Sequence, residues 1–81
     1  MKKIIIYTKT GCPWCKESLE YLRESGVPFE ERNVSENKMF FDELIEKTKQ
    51  SKTPTLDIGG EILADTDAKA IAARFKELGI V

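Results

Sequence analysis

Histidine is missing from this 81-residue sequence, and cysteine occurs only twice. Without histidine there is no cysteine-histidine nucleophilic pair, no mixed cysteine-histidine zinc site and no usual general base. The two cysteines, Cys12 and Cys15, cannot build a secreted disulfide framework, because they would close a loop too small to stabilise a fold. We therefore expect the cysteine pair to do chemistry.

Long apolar runs and a strong charge of either sign are also absent. The 13 basic and 14 acidic residues give a net charge of -1, which predicts no attraction to nucleic acid or to an anionic membrane. The opening apolar run ends at Thr8, too early for a signal peptide, so we expect a cytoplasmic protein. Hydrophobic residues at 41% and charged residues at 33% suit a soluble globule, and the length predicts a single domain over residues 1–81.

The apolar pattern predicts the element order βαβαββα. A β-branched run before Gly11 indicates a buried central strand, and a weaker, charged segment that contains Pro28 indicates an edge strand. The Gly59-Gly60 dipeptide predicts a hairpin turn, because glycine readily adopts positive φ angles. The strands are predicted at residues 3–8, 27–34, 55–58 and 61–64.

Three helices are predicted from capping residues and helical spacing. The first runs from Pro13 to its stop at Gly26, Ser35 is predicted to cap the second, and Thr66 or Asp65 is predicted to cap the third. The second and third helices each present an apolar stripe that we interpret as core packing. The stripes are Phe40, Phe41, Leu44, Ile45 and Thr48, and then Ala68, Ile71, Ala72, Phe75 and Leu78.

The position of Cys12 coincides with the expected ligand cleft. A strand-helix-strand unit predicts two parallel strands in a mixed sheet with helices on both faces. Ligands in such folds gather beyond the carboxyl ends of the strands, and Cys12 follows that end of the predicted central strand.

The Cys12-Pro13-Trp14-Cys15 segment is typical of a thiol-disulfide redox site. A thiol attacks a disulfide as the thiolate, and a helix N-terminus stabilises that anion at Cys12. Cys15 lies one turn further on and is the natural resolving thiol. Pro13 holds the turn, and Trp14 offers an exposed apolar surface beside the sulfur. Lys9 adds positive charge near the same sulfur.

Each of these residues also has a plainer interpretation. The cysteine pair could be half of a zinc site, although the other half is missing from the chain. The Trp14 ring could fold into the core, and Lys16 could be an ordinary solvated charge as readily as an influence on Cys12. Pro54 could simply mark a strand boundary.

Four segments, in this order and spacing, resemble a dithiol glutaredoxin: residues 7–15, Thr53-Pro54, Gly59-Gly60 and Thr66-Asp67. The resemblance implies an α/β thioredoxin fold, with a four-stranded mixed sheet of order 2-1-3-4 flanked by three helices. It also implies a cis peptide before Pro54 and the reduction of protein disulfides or glutathione mixed disulfides by Cys12 and Cys15.

The same resemblance implies a groove for glutathione, a co-substrate and not a tightly bound cofactor. A helix N-terminus and a lysine both favour carboxylates, and the backbone before a cis proline can pair with an extended peptide. The implied substrate and glutathione positions are Lys9, Pro13, Trp14, Thr53, Pro54, Thr66 and Asp67, with no metal ligands.

Three positions depart from the family pattern. Lys52-Thr53-Pro54 replaces Thr-Val-Pro, Ala64-Asp65 replaces Gly-Gly, and Ala68 replaces the second aspartate at the helix cap. Asp65 is placed to repel a glutathione carboxylate. Asp67 can be read either as a ligand contact or as an acid that stabilises its own helix.

Two alternatives follow from these features. The first is an NrdH-type redoxin that is reduced by thioredoxin reductase and serves a protein such as ribonucleotide reductase. The second comes from another class: a dimeric module in which the cysteines hold a metal or an iron-sulfur cluster, with glutathione as a further ligand. The main interpretation expects a monomer whose partners are glutathione and disulfide-containing proteins.

Overall fold

The computed structural model describes residues 3–80 and confirms the predicted order of elements. Met1 and Lys2, which belong to the opening segment considered above, lie outside the described residues. No helix in the described part of the chain is both long and apolar enough to cross a membrane. The elements are β1 Ile4–Thr8, α1 Pro13–Ser25, β2 Glu30–Asn33, α2 Lys38–Thr48, β3 Thr55–Ile58, β4 Glu61–Leu63 and α3 Ala68–Glu77.

The four strands form one mixed sheet in the order β2-β1-β3-β4. Strand β1 pairs in parallel with β2 and antiparallel with β3, and β3 pairs antiparallel with β4. The Gly59-Gly60 turn between β3 and β4 has positive φ at both residues (59° and 106°), as the dipeptide predicts. This topology confirms the α/β thioredoxin fold that the resemblance implies.

Strand β1 is buried along its whole length because helices cover both faces of the sheet. Successive side chains of a strand point to opposite faces, so β1 contributes to two separate clusters. One cluster lies under α1 and α3 and contains Ile4, Ile6, Leu22, Leu56, Ile58, Ile71 and Phe75. The other lies under α2 and contains Ile5, Tyr7, Val34 and Leu44. Removing this apolar surface from water holds α1 against the sheet.

The prediction that Ser35 caps α2 is wrong. Asn37 is the N-cap, and its side-chain oxygen accepts the Met39 N–H at 2.9 Å. The helix begins later than predicted because of Asn33. The side-chain oxygen of Asn33 accepts hydrogen bonds from the N–H groups of Ser35 and Glu36 and holds these residues in a turn.

The cap of α3 is also later than predicted, by one residue from Thr66 and by two from Asp65. Asp67 is the N-cap, and its carboxylate accepts the Ala70 N–H at 2.8 Å. Thr66 precedes the helix, where its N–H donates to the Pro54 carbonyl at 2.9 Å and holds this residue against the loop before β3. Asp65 has a left-handed φ of 51°, which differs from the extended backbone of an N-cap.

The structure also differs from the prediction in the exposure of one side chain of α2 and in the lengths of three strands. The prediction that Ile45 faces the core is wrong: it lies at the edge of the apolar stripe of α2 and is 37% exposed. The strand predicted over residues 27–34 is shortened to Glu30–Asn33, because Pro28 has no N–H for a ladder hydrogen bond. The first and fourth strands are each one residue shorter than predicted.

A polar network ties α2 to the middle of the sheet. Lys47 Nζ donates to Asp57 Oδ2 on β3 at 2.8 Å and to the Tyr7 hydroxyl at 2.7 Å. The Tyr7 hydroxyl donates to Glu43 at 3.0 Å, and the Gly60 N–H donates to Asp57 Oδ1 at 2.7 Å. Burial acts to raise the pKa of Asp57, but the hydrogen bonds from Lys47 and Gly60 outweigh it and hold the pKa below its ordinary value of 3.8.

The lowered pKa of Asp57 makes its contribution to stability depend on pH. A carboxyl whose pKa is lower in the folded than in the unfolded chain stabilises the fold above the unfolded value, and loses that effect as pH falls through the folded value. Asp57→Asn is therefore expected to lower the free energy of unfolding by about 1–3 kcal/mol at about pH 7, and by much less below about pH 3. Urea unfolding at the two pH values measures the difference.

Asp42→Asn, the same change at an exposed position on α2, is the matched control and should alter stability little at either pH. An Asp57→Asn defect of equal size at both pH values would show that the ionised carboxylate is not what stabilises the network.

Candidate active site

Cys12 lies at the junction between the central strand and α1. The chain leaves β1 at Thr8, turns through Gly11 with φ 78°, and reaches Cys12 with extended backbone (φ -93°, ψ 109°) as the N-cap of α1. Cys12 Sγ accepts the Cys15 N–H at 3.1 Å. Pro13 occupies the first helical position, where a missing N–H costs nothing. A thiolate at Cys12 would therefore be stabilised by a backbone donor and by the positive end of the helix dipole.

The two sulfurs have unequal surroundings. Cys12 and Cys15 form a disulfide in the structure, with Cα atoms 5.2 Å apart. Cys15 is only 2% exposed, whereas Cys12 is half-buried at the surface. A substrate in solution can therefore reach Cys12 but not Cys15.

The loop before β3 packs against Cys12 from the opposite side. The Thr53-Pro54 peptide is cis, as the resemblance implies, and Pro54 is buried. The Thr53 carbonyl oxygen lies 4.0 Å from Cys12 Sγ, and the Thr53 hydroxyl lies 3.8 Å from it. The sulfur is thus bordered by α1 and by the backbone of Thr53.

A surface groove of about 510 Å³ opens in front of Cys12. Most of the predicted site residues line it together, although they come from three separate segments of the chain. Pro54 lies behind this groove, and Cys15 lines a second cleft on the other side of the disulfide. The predicted residues in the groove are Lys9, Cys12, Pro13, Trp14, Thr53, Thr66 and Asp67.

The groove also contains residues that the sequence analysis did not assign to the site. Thr10 and Gly11 line it beside Lys9, and Lys52 and Asp65 line its far wall. Each of these four residues is adjacent in sequence to a residue that was predicted to line the site. Including the sequence neighbours of the predicted residues would have identified all four. The sequence predicts Asp65 as a candidate helix cap and as a departure from the family pattern, and not as a binding residue.

The exposure of the Trp14 side chain decides one of the open interpretations. Trp14 is 60% exposed, so the ring does not fold into the core and presents an apolar face beside Cys12. Lys16 is exposed on the Cys15 side of the disulfide, in the second cleft, and does not line the groove. Lys9 is half-buried and lines both.

The groove is lined by two lysines and two aspartates, and one lysine pairs with one aspartate. Lys52 Nζ lies 3.7 Å from Asp65 Oδ2, and both side chains are more than half exposed, so this ion pair contributes little to stability. The Asp67 carboxylate caps its own helix, which supports the interpretation of Asp67 as a helix-stabilising acid. The α3 end of the groove is therefore lined by two carboxylates, from Asp65 and Asp67.

A metal site within one chain finds no support in the side chains described. Among residues 3–80, no group of three or more histidine, cysteine or acidic side chains is arranged to hold a metal ion. Cys12 and Cys15 are bonded to each other.

Comparison with known proteins identifies the family of this chain. The glutaredoxin family model matches residues 4–63. A glutaredoxin-like 8.6 kDa protein of the rubredoxin operon of Clostridium pasteurianum, itself uncharacterised, is 37% identical over 60 residues, which cover 74% of this chain and 80% of that protein. An N-acetyl-S-hydroxy-L-cysteine reductase of Bacillus subtilis is 38% identical over 56 residues, 69% of this chain but only 60% of that protein.

Solved structures agree with the sequence matches. The crystal structure of the thioredoxin-like protein BC3987 superposes with a TM-score of 0.79 at 28% identity, over 86% of this chain and 96% of that one. The family match spans the central strand, the Cys12–Cys15 pair and the hairpin, which are the elements that build the site. This chain belongs to the glutaredoxin family and is a thiol-disulfide oxidoreductase with a Cys-X-X-Cys pair.

Proposed function

We propose that this chain reduces disulfides by a dithiol mechanism in which Cys12 attacks and Cys15 resolves, with glutathione as the electron donor. The unequal placement of the two sulfurs is the observation that supports these roles. Cys12 faces the groove and accepts the Cys15 N–H, whereas Cys15 is 2% exposed. A buried thiol one helical turn from the attacking sulfur reacts only with what is already bonded to that sulfur.

The reaction has two steps. The Cys12 thiolate attacks one sulfur of the substrate disulfide, and half of the substrate leaves as a thiolate that takes a proton from water. The other half stays on Cys12 as a mixed disulfide. Cys15 then loses its proton and attacks Cys12 Sγ, which releases the second half as a thiol. Two electrons have passed to the substrate, and the Cys12–Cys15 disulfide remains, which is the state of the structure.

Glutathione returns the pair to the dithiol. One glutathione thiolate opens the Cys12–Cys15 disulfide and forms a mixed disulfide at Cys12, and a second glutathione releases glutathione disulfide and the reduced pair. Lys9 offers the groove a cation for a peptide carboxylate, and Trp14 offers an apolar face beside the sulfur. The Thr53 backbone lies next to Cys12, where it can pair with a small peptide.

The carboxylates at the α3 end of the groove favour a second candidate for the donor. Asp65 stands in this wall, and the Asp67 carboxylate already occupies an N–H at the start of α3. A glutathione carboxylate would meet negative charge there instead of free helix donors. Reduction by thioredoxin reductase, as in an NrdH-type redoxin, needs no such carboxylate site.

Replacing each cysteine tests the assigned roles. Cys12→Ser is expected to reduce a glutathione mixed disulfide no faster than the uncatalysed reaction, because no accessible thiolate remains. Cys15→Ser is expected to retain glutathione-dependent turnover and to accumulate a mixed disulfide on Cys12, visible as added mass on the intact protein. Undiminished activity in Cys12→Ser, or an adduct on Cys15 in the wild-type protein, would contradict the assignment.

The electron donor is tested by coupling the purified chain either to glutathione and its reductase or to thioredoxin reductase. Turnover with glutathione supports the first candidate, and turnover with thioredoxin reductase alone selects the second. Asp65→Asn removes one negative charge and keeps a residue type that tolerates the left-handed backbone. It is expected to lower the KM for glutathione by about fivefold, the effect of about 1 kcal/mol between nearby charges in water.

Asp42→Asn on α2 removes the same charge away from the groove and should leave that KM unchanged. A KM that does not respond to Asp65→Asn would show that glutathione does not approach this wall of the groove.

A further inference from the structure

A second cleft, of about 350 Å³, lies on the Cys15 side of the disulfide. It is bordered by Cys15 and Thr8 and by one carboxylate, that of Glu31 on the edge strand β2. Three cations from the loop and from α1 also line it: Lys9, Lys16 and Arg23. The two-step mechanism above assigns no role to this cleft or to Glu31.

Glu31 is an exposed residue of β2, and the strand register places it beside Thr8. Glu31 pairs with Ile6 in the parallel β1–β2 ladder, and Thr8 lies two residues beyond Ile6. All three side chains therefore point to the face of the sheet that α1 covers. The Thr8 hydroxyl, 1% exposed, donates to Glu31 Oε2 at 2.9 Å and fixes the carboxylate beside the cleft.

Cys15 needs a proton acceptor that the rest of the site does not offer. A thiol must lose its proton to attack a disulfide, and burial at 2% exposure disfavours ionisation without help. The chain contains no histidine, so the usual base is missing. Glu31 is the acidic side chain that shares the cleft with Cys15, and the cleft has room for a bridging water.

We propose that Glu31 accepts the Cys15 proton during the resolving step and that Thr8 is a positioning residue for Glu31. The inference rests on the proposed roles of Cys12 and Cys15. When the Cys15 sulfur bonds to Cys12 Sγ, the bond from Cys12 to the substrate half breaks, and its electron pair leaves on that half. The Cys15 proton passes across the cleft to the Glu31 carboxylate and from there to solvent. When glutathione opens the disulfide, the proton returns by the same route.

The two steps can be timed separately. Reduced protein is mixed with excess 5,5'-dithiobis(2-nitrobenzoic acid), quenched in acid, and weighed by mass spectrometry, which distinguishes the dithiol, the mixed disulfide and the internal disulfide. Glu31→Gln is expected to form the mixed disulfide at the wild-type rate and to resolve it at least about tenfold more slowly at about pH 6. The resolution rates of Glu31→Gln and of the wild type should become equal toward about pH 9, because hydroxide in the buffer then removes the Cys15 proton without the carboxylate.

Glu36→Gln is the matched control, because Glu36 is near Glu31 but does not border the cleft of Cys15. It should resolve the mixed disulfide at the wild-type rate. Thr8→Val should share part of the Glu31→Gln defect, and Thr8→Ser, which keeps a hydroxyl, should not.

Wild-type resolution in Glu31→Gln would overturn the proton transfer, and so would equal slowing of both steps or a defect that does not change with pH. If the wild-type adduct forms on Cys15 instead of Cys12, the proposed function fails first. The rate of adduct formation in the two single-cysteine variants tells the two failures apart: the proposed roles stand if Cys15→Ser forms the adduct at the wild-type rate and Cys12→Ser does not, and they fail if the reverse is found.

Discussion

The hydrogen bond from the Cys15 N–H to Cys12 Sγ sets the geometry on which the rest of the site depends. It makes a sulfur the N-cap of α1, at the point where the buried central strand passes into the helix. A thiolate at Cys12 takes the place of the side-chain oxygen that usually caps a helix. The Cys15 N–H therefore serves both to cap the helix and to stabilise the thiolate that attacks. The apolar clusters on both faces of β1 hold this junction in place.

The surroundings of the two sulfurs divide the chemistry between two sides of the disulfide. On the Cys12 side, the groove collects an exposed aromatic ring, a lysine and the backbone of Thr53. The Thr66 N–H binds the Pro54 carbonyl and so keeps the start of α3 against the loop before β3. On the Cys15 side, the cleft is smaller and carries a carboxylate held by Thr8. The two depressions share Cys12 and its neighbours Lys9, Gly11 and Pro13 and differ in their outer walls.

Local signals predicted the elements that carry the cysteines. A β-branched run, Pro13 at a helix start and Gly59-Gly60 at a turn each act within a few residues, so the sequence pattern sufficed. The caps of α2 and α3 lie later than predicted because hydrogen bonds to the Asn33 side chain and to the Pro54 carbonyl hold the preceding residues outside the helices. The two carboxylates that border the site, Asp65 and Glu31, depend on loop conformation and strand register, which local patterns do not specify.

Cys12 and Cys15 are chemically unequal because one caps a helix at the surface and the other is buried. Competitive alkylation of the reduced protein with iodoacetamide at about pH 7, followed by peptide mapping, measures this difference. Rapid modification of Cys12 is expected, with Cys15 remaining unmodified until the chain is unfolded. Modification of both thiols at similar rates in the folded protein would contradict it.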